Sequence, residues 1–372
     1  MQTRTRFINR YSCHESFVKS VKNETTRKKY VDALALFIQF CNFKKYEQLL
    51  QISDKEKFEA IREYLLYLDT EKKYSPSTIN NHYYPIKLFY ECNNVLLNWK
   101  QLSRSKPKLR RIVDDRLYTD AEIRKYIDHA NVREKAVILT LLSTGVRIGG
   151  LASIRLKDMK YLDDYHLYKF LVYSEDITER YVTFCTPEAA AAINLYLDFR
   201  RNYEELGPDS PLIAESVNPQ HIFTPGKDNS LTADSIAHIV RRLQWRANIF
   251  KKVKLDKDRS NKGRIHKPAM TCHSFRKVFN TRCIEYNVNG TVKETLLGHK
   301  TGMGLDVHYF RPTEKQLLTE YIKVIDALTV NEENRLRQKV KDYEIQVSET
   351  TFLLSEFSKR LARIEKEIKE AS

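Results

Sequence analysis

Ala136-Val-Ile-Leu-Thr-Leu-Leu-Ser-Thr-Gly-Val-Arg147-Ile-Gly-Gly-Leu151 is the stretch on which the reading of this chain turns. An apolar helix from Arg133 to about Ser143 runs into a Thr-Gly turn that carries a single arginine. After Arg147 the apolar period moves toward two. Tyr165 to Tyr173 and Arg180 to Cys185 read as strands joined by the polar turn Ser174–Glu179. A helix giving way to a small antiparallel sheet makes this part of the chain a mixed domain. An arginine beside a glycine turn could simply pair with a carboxylate, so this stretch needs company before it means chemistry.

Upstream, the first hundred residues read as helices. Glu24 to Phe40 is amphipathic, with Thr25 or Thr26 as N-cap; Lys55 to Leu68 follows; Tyr74-Ser-Pro-Ser-Thr78 is a turn and cap before a third helix that Pro85 could bend. Leu102 to Asp115 is basic, lacks apolar periodicity and reads as a linker. Asp120 to His129 is again helical. Downstream, Thr186-Pro187-Glu188 starts an Ala-rich helix to Phe199, with Pro in the first turn where it is tolerated. Ala233 to Ala247 is another helix, and Lys251 to Lys267 is a polar loop with eight basic and two acidic residues. Helices resume near His273, before His299 and after Thr313. Val340, Val347, Leu354, Leu361 and Ile368 recur every seven residues, with Leu336, Tyr343, Thr350, Phe357 and Ile364 in the second register, which predicts a coiled coil.

The chain of 372 residues carries 64 Lys+Arg against 48 Asp+Glu, a net charge of +16, which favours polyanionic partners, nucleic acid first. With 42% hydrophobic residues and only 10 Gly and 10 Pro, it is neither disordered nor low-complexity. The longest uncharged apolar run, Ala136 to Val146, falls short of the roughly 20 residues a bilayer requires. The N-terminus shows no apolar signal region, and six scattered cysteines without a C-x-x-C pair fit reduced thiols in the cytoplasm. The expected architecture is α+β, mostly α. It comprises a helical bundle over 1–102, a basic linker over 103–116, a mixed domain with a small antiparallel sheet over 117–330, and a coiled-coil tail over 331–372.

Four short clusters, each weak alone, gain weight together: Thr144-Gly-Val-Arg147-Ile-Gly-Gly-Leu151, His273-Ser-Phe-Arg276, Leu296-Leu-Gly-His299 and His308-Tyr309. Their order, types and spacing, with His299 and Tyr309 ten apart, resemble the tyrosine recombinase (phage-type integrase) family over roughly residues 15–325. Tyr-Ser-Pro-Ser-Thr-Ile in the N-terminal helices looks like that family's core-binding domain. Tyr309-Phe-Arg-Pro-Thr-Glu-Lys-Gln-Leu-Leu with its trailing heptads looks most like archaeal mobile-element integrases.

The residue types suit phosphoryl transfer. Negative charge spreads over nonbridging oxygens in the transition state, and Arg147 and Arg276 offer planar, permanently charged forks to meet it. His273 and Arg276, three apart on a helix, share a face. The resemblance implies that Tyr309 attacks the phosphate to leave a 3′-phosphotyrosyl link and a free 5′-hydroxyl. His273 is then the candidate base and His299 a phosphate donor. No acidic cluster resembles a two-metal site and no Gly-x-x-x-x-Gly-Lys loop is present, so neither metal, cofactor nor ATP is expected. Two departures stand out. Gly150 occupies the place where family members usually carry an acid, and the hairpin turn lacks the family's lysine, leaving Lys169 and Arg180 as the nearest cations, with Lys169 preferred as leaving-group acid.

Expected DNA contacts are Arg104, Lys106, Lys108, Arg110 and Arg111 in the linker and Lys251, Lys252 and Lys254 in the basic loop, all phosphate-type contacts that position without specifying sequence. The partner is double-stranded DNA, and the resemblance implies four protomers on two duplexes. A type IB topoisomerase and a DNA-binding architectural protein with decayed catalysis are the competing readings. The coiled coil and the core-binding-like N-terminus argue against the first, and retention of both arginines, both histidines and the tyrosine against the second.

Overall fold

The computed structural model describes residues 12–107, 116–215, 229–249, 252–254, 266–268, 271–299 and 312–333, with further helical positions between 335 and 361. Two units divide the chain: residues 1–114 with 252–267, and residues 115–251 with 268–372.

The first unit is helical: α1 (Cys13–Ser20), α2 (Glu24–Phe40), α3 (Gln48–Gln51), α4 (Asp54–Thr70), α5 (Pro76–Cys92) and α6 (Trp99–Arg104). Local signals start these helices. Ser53 and Glu56 form a reciprocal capping box for α4, and Ser75 caps α5 with Pro76 at its first position. The cap of α2 is Asn23, not Thr25 or Thr26, because the Asn23 side chain reaches the Thr26 N–H from just outside the helix. Pro85 lies inside α5 without ending it. Leu34, Phe37, Ile61, Leu65, Ile79, Ile86 and Phe89 form the core, and α5 touches α1, α2 and α4. Each such buried side chain contributes roughly 1.5–3 kcal/mol. Helix α6 runs through Arg104, two residues into the stretch read as linker, because Leu102 is fully buried in this core.

The second unit is built around α8 (Val132–Thr144), whose residues 136–144 are all buried. Such a helix, apolar all round, belongs inside a layer of other elements. It is contacted by α7 (Asp120–His129), α10 (Pro187–Arg201), α11 (Ala233–Arg246), α12 (Cys272–Glu285) and α15 (Ile325–Leu328). Strands β1 (Met159–Leu162), β2 (Leu167–Val172) and β3 (Tyr181–Phe184) form an antiparallel sheet in that order, with Leu162 opposite Leu167, Lys169 opposite Phe184 and Val172 opposite Tyr181. Helices α13 (Gly290–Leu296) and α14 (Glu314–Ile322) both touch β3.

Several short elements differ from the sequence reading. Where the sequence period moves toward two after Arg147, the chain instead forms α9 (Ile148–Ser153), a six-residue helix with two glycines near its start. Glycine is a poor helix former, so no propensity signal marks it. Strand β1 went unread because its four residues carry no alternation. The polar loop 251–267 holds β4 (Lys252–Lys254) and β5 (His266–Pro268), three residues each, too short for any pattern. Tyr321, expected in the core, is fully buried and donates to the Ser143 carbonyl at 2.8 Å. In the tail, Leu336, Val340, Val347, Leu354, Phe357 and Leu361 are helical and exposed. Among the described residues no helix is long and apolar enough to cross a membrane.

Candidate active site

Gly145 ends α8 in the left-handed conformation, φ +61°, and its N–H bonds the Leu141 carbonyl at 3.1 Å. A side chain there would also be 2.7 Å from the Phe279 ring and 2.9 Å from Leu297, so glycine lets three segments meet. The next turn places Arg147 at the start of α9, exposed, with Nη1 donating to the Gly298 carbonyl at 3.2 Å.

Arg276 comes from the first half of α12 and is buried, 4% exposed. Its Nη1 donates to the Gly145 carbonyl at 2.7 Å and its Nη2 to the Leu297 carbonyl at 2.6 Å. Burial and the neighbouring Arg147 both push its guanidinium below the ordinary arginine value. His273 stands one turn earlier on α12 and is exposed. The start of that helix is braced by a buried relay: Gln244 Nε2 and Tyr126 Oη both donate to Tyr118 Oη, at 2.9 and 3.0 Å, and Tyr118 donates to the Thr271 carbonyl at 3.2 Å.

The third segment is the end of α13. Gly298 is left-handed, φ +62°, its N–H donates to the Thr295 carbonyl at 2.9 Å, and the His299 N–H donates to the Glu294 carbonyl at 3.0 Å. These are the two bonds of a Schellman turn, which requires the left-handed residue that glycine supplies. A Cβ on Gly298 would lie 2.3 Å from the Tyr181 ring. The His299 imidazole Nδ1 meets Glu294 Oε2 in a short contact, and Lys293 Nζ holds the other carboxylate oxygen at 3.0 Å. The structure thus gathers Arg147, Arg276 and His299 onto one turn, Leu297-Gly298-His299, although they are far apart in sequence. Tyr309, the expected nucleophile, lies outside the described residues.

Three side chains that the sequence reading did not single out lie beside this turn or its arginines. Glu294 is one. Tyr181 is buried, its ring lies against Gly298, and its hydroxyl, near the Arg276 guanidinium, makes no hydrogen bond of good geometry among the described residues. Burial pushes its phenol up to about 12, with Arg276 and Arg147 pulling the other way. Tyr173 is the left-handed residue after β2, φ 53°, raised by burial and lowered by the same arginines. Their only signal in the sequence is that they flank the Ser174–Glu179 turn.

Gly150 has no room for a larger side chain. A Cβ would lie 2.8 Å from both Val146 and Val172, so an acid cannot occupy this position in this packing. Lys169 sits on β2 with its ammonium bonded to Glu314 at 2.8 Å, at the start of α14. Arg180 is exposed just before β3. In the first unit Arg104 is exposed, whereas Lys106 bonds Asn80 Oδ1 at 2.9 Å and lies over the Tyr83 ring at 4.0 Å. Lys108, Arg110, Arg111 and Lys251, and the side chains of Lys252 and Lys254, lie outside the described residues.

Two guanidiniums and an imidazole fixed on a single turn make a site for an oxyanion of the phosphate type. Comparison with known proteins identifies the family. Residues 115–316 match the phage integrase family, and residues 15–93 match the phage integrase N-terminal SAM-like domain. The chain is 24% identical over 315 residues to a protein of Methanocaldococcus jannaschii described as a probable integrase/recombinase, covering 81% of this chain and 84% of the relative. It is 24% identical over 310 residues to the tyrosine recombinase XerC of Staphylococcus epidermidis, covering 81% and 90%. The solved structure of the Tn1549 transposon integrase in complex with circular intermediate DNA shares the fold with a TM-score of 0.54 at 16% identity, covering 84% of this chain and 99% of that one. The chain belongs to the phage integrase family, the tyrosine recombinases.

Proposed function

We propose that the protein is a site-specific DNA recombinase that cleaves and rejoins DNA through a 3′-phosphotyrosyl intermediate, integrating or excising a mobile element. The observation that carries this reading is the convergence of Arg147 and Arg276 on the adjacent carbonyls of Gly298 and Leu297, beside His299. These bonds use one N–H of Arg147 and two of Arg276, out of five in each guanidinium. The remaining donors are the means of stabilising a scissile phosphate as its charge grows. Tyr309 Oη attacks phosphorus, the bond to the 5′-oxygen breaks, and that oxygen takes a proton. His273 receives the phenol proton, His299 donates to a nonbridging oxygen, and Lys169, released from Glu314, supplies the proton to the leaving oxygen. The reverse step with another 5′-hydroxyl rejoins the strand. One phosphoester replaces another, so ATP has no part.

Two features extend the reading to partners. A lambda integrase tetramer has been solved bound to a Holliday junction, with a TM-score of 0.50 to this chain. Four protomers on two duplexes is the arrangement we propose here. The exposed Leu336, Val340, Val347, Leu354, Phe357 and Leu361 of the tail fall on the heptad read from sequence, with Leu353 off it, and we assign residues 331–372 to a coiled coil between protomers. Arg104 and the basic stretches around 108–111 and 251–254 supply the phosphate contacts, with domains at 1–102 and 117–330 flanking the linker at 103–116 and the coiled-coil tail at 331–372 following.

The test is a covalent trap. Wild type and Tyr309→Phe are incubated in EDTA with nicked duplexes from DNA flanking the protein's own gene, and products are resolved on denaturing gels. A shifted protein–DNA band in wild type alone is expected. A band that persists in Tyr309→Phe assigns the nucleophile elsewhere. Salt-sensitive binding with no band from any duplex leaves a DNA-binding protein without this chemistry.

A further inference from the structure

We propose that Glu294 is the positioning residue of His299, its carboxylate accepting the Nδ1–H so that Nε2 is the nitrogen left for substrate. The identity of that substrate as a DNA phosphate rests on the recombinase reading above; the pairing does not.

Glu294 holds His299 twice. Its backbone carbonyl accepts the His299 N–H at 3.0 Å and its carboxylate meets the ring. Backbone and side chain of the histidine are therefore referenced to a single residue five positions back. The carboxylate is itself held by Lys293, and it is less exposed than the ring it orients, 25% against 38%. Burial pushes the Glu294 carboxyl up, but His299 and Lys293 outweigh it and leave the group below its ordinary value, a carboxylate ready to accept. An outer carboxylate fixes tautomer and ring plane for many metal-ligating histidines, where its loss costs about 10–100-fold, and the same hydrogen bond can orient an imidazole toward a phosphate. Here the carboxylate is coupled to the arginines as well, because the turn between Glu294 and His299 presents the carbonyls that Arg147 and Arg276 grip.

A merely structural ion pair on the end of α13 predicts different behaviour. The full-length chain is assayed for single-turnover covalent complex formation on a nicked duplex as wild type, Glu294→Ala, His299→Ala and the double variant. Loss of about 10–100-fold in Glu294→Ala, with duplex affinity unchanged and no further loss in the His299→Ala background, is expected. An equal loss in both backgrounds, or none, overturns the proposal. A second measurement needs neither DNA nor activity. In histidine-labelled full-length protein, ¹⁵N NMR is expected to show the neutral His299 ring protonated at Nδ1 in wild type and at Nε2 in Glu294→Ala; the same tautomer in both overturns the proposal. If wild type forms no covalent complex while the tautomer shifts, the recombinase reading fails and the positioning role stands.

Discussion

Gly298→Ala is the sharpest single test of how the site is held. Two penalties add at this position. At φ +62° an L-residue costs roughly 1–2 kcal/mol. The new methyl would start 2.3 Å from the Tyr181 Cδ1 and Cε1 atoms, and relieving such an overlap in a packed interior costs typically 1–3 kcal/mol. A total near 3 kcal/mol lowers the melting temperature of a unit this size by about 6–12 °C. Covalent complex formation should fall further than stability alone demands, because the same turn carries the carbonyl acceptors of Arg147 and Arg276 and the backbone of His299. Differential scanning calorimetry and the trapping assay are read on the same samples below the transition. The double variant with Tyr181→Ala separates the terms: the steric part should be recovered and the conformational part, about 1–2 kcal/mol, should remain. A Gly298→Ala protein that melts within about 2 °C of wild type and still cleaves would refute the reasoning.

Three further outcomes are expected. Arg276→Lys replaces a fork that reaches the Gly145 and Leu297 carbonyls with a single ammonium, and covalent complex formation should drop by about 10²–10³-fold while duplex binding persists, checked by gel shift beside the trap. Arg116, bonded to Glu122, holds that carboxyl down at about 2. Its stabilising effect is therefore complete above the unfolded carboxylate's pKa near ~4.3 and is lost as pH falls toward 2, so Glu122→Gln should cost about 1–2 kcal/mol at pH 7 and almost nothing at pH 2, measured by denaturant unfolding. Arg104→Ala should reduce the log–log salt slope of DNA binding by about 1, whereas Lys106→Ala, which empties the space over Tyr83 and frees Asn80, should also lower the stability of the helical unit by about 1 kcal/mol in thermal melts.

The helices were legible wherever a cap and a long apolar stripe coincided: Ser53 with Glu56, Ser75 with Pro76, and Thr119 with Glu122 each mark a start that the folded chain uses. Elements of three to six residues were not, because α9, β1, β4 and β5 owe their conformation to neighbours and not to local preference. At the candidate site, Arg147, Arg276 and His299 are residues the family resemblance singled out, and the folded chain brings them together. Glu294 was not singled out, since five-residue spacing acquires meaning only once Gly298 is known to reverse the chain. Tyr181 reads as an ordinary strand aromatic until its ring is found against that glycine. The basic residues show the opposite failure. Charge alone made Arg104 and Lys106 equivalent, yet one is exposed and the other is seated on an aromatic ring and an asparagine.

The arginine clasp also orders events during synthesis. Both guanidiniums leave the ribosome before the Leu297 and Gly298 carbonyls that fix them. A chain that stalls earlier carries both arginines but no turn to aim them. In an enzyme that cleaves and rejoins DNA, the grip on both arginines therefore waits on the folding of α13 and its closing turn.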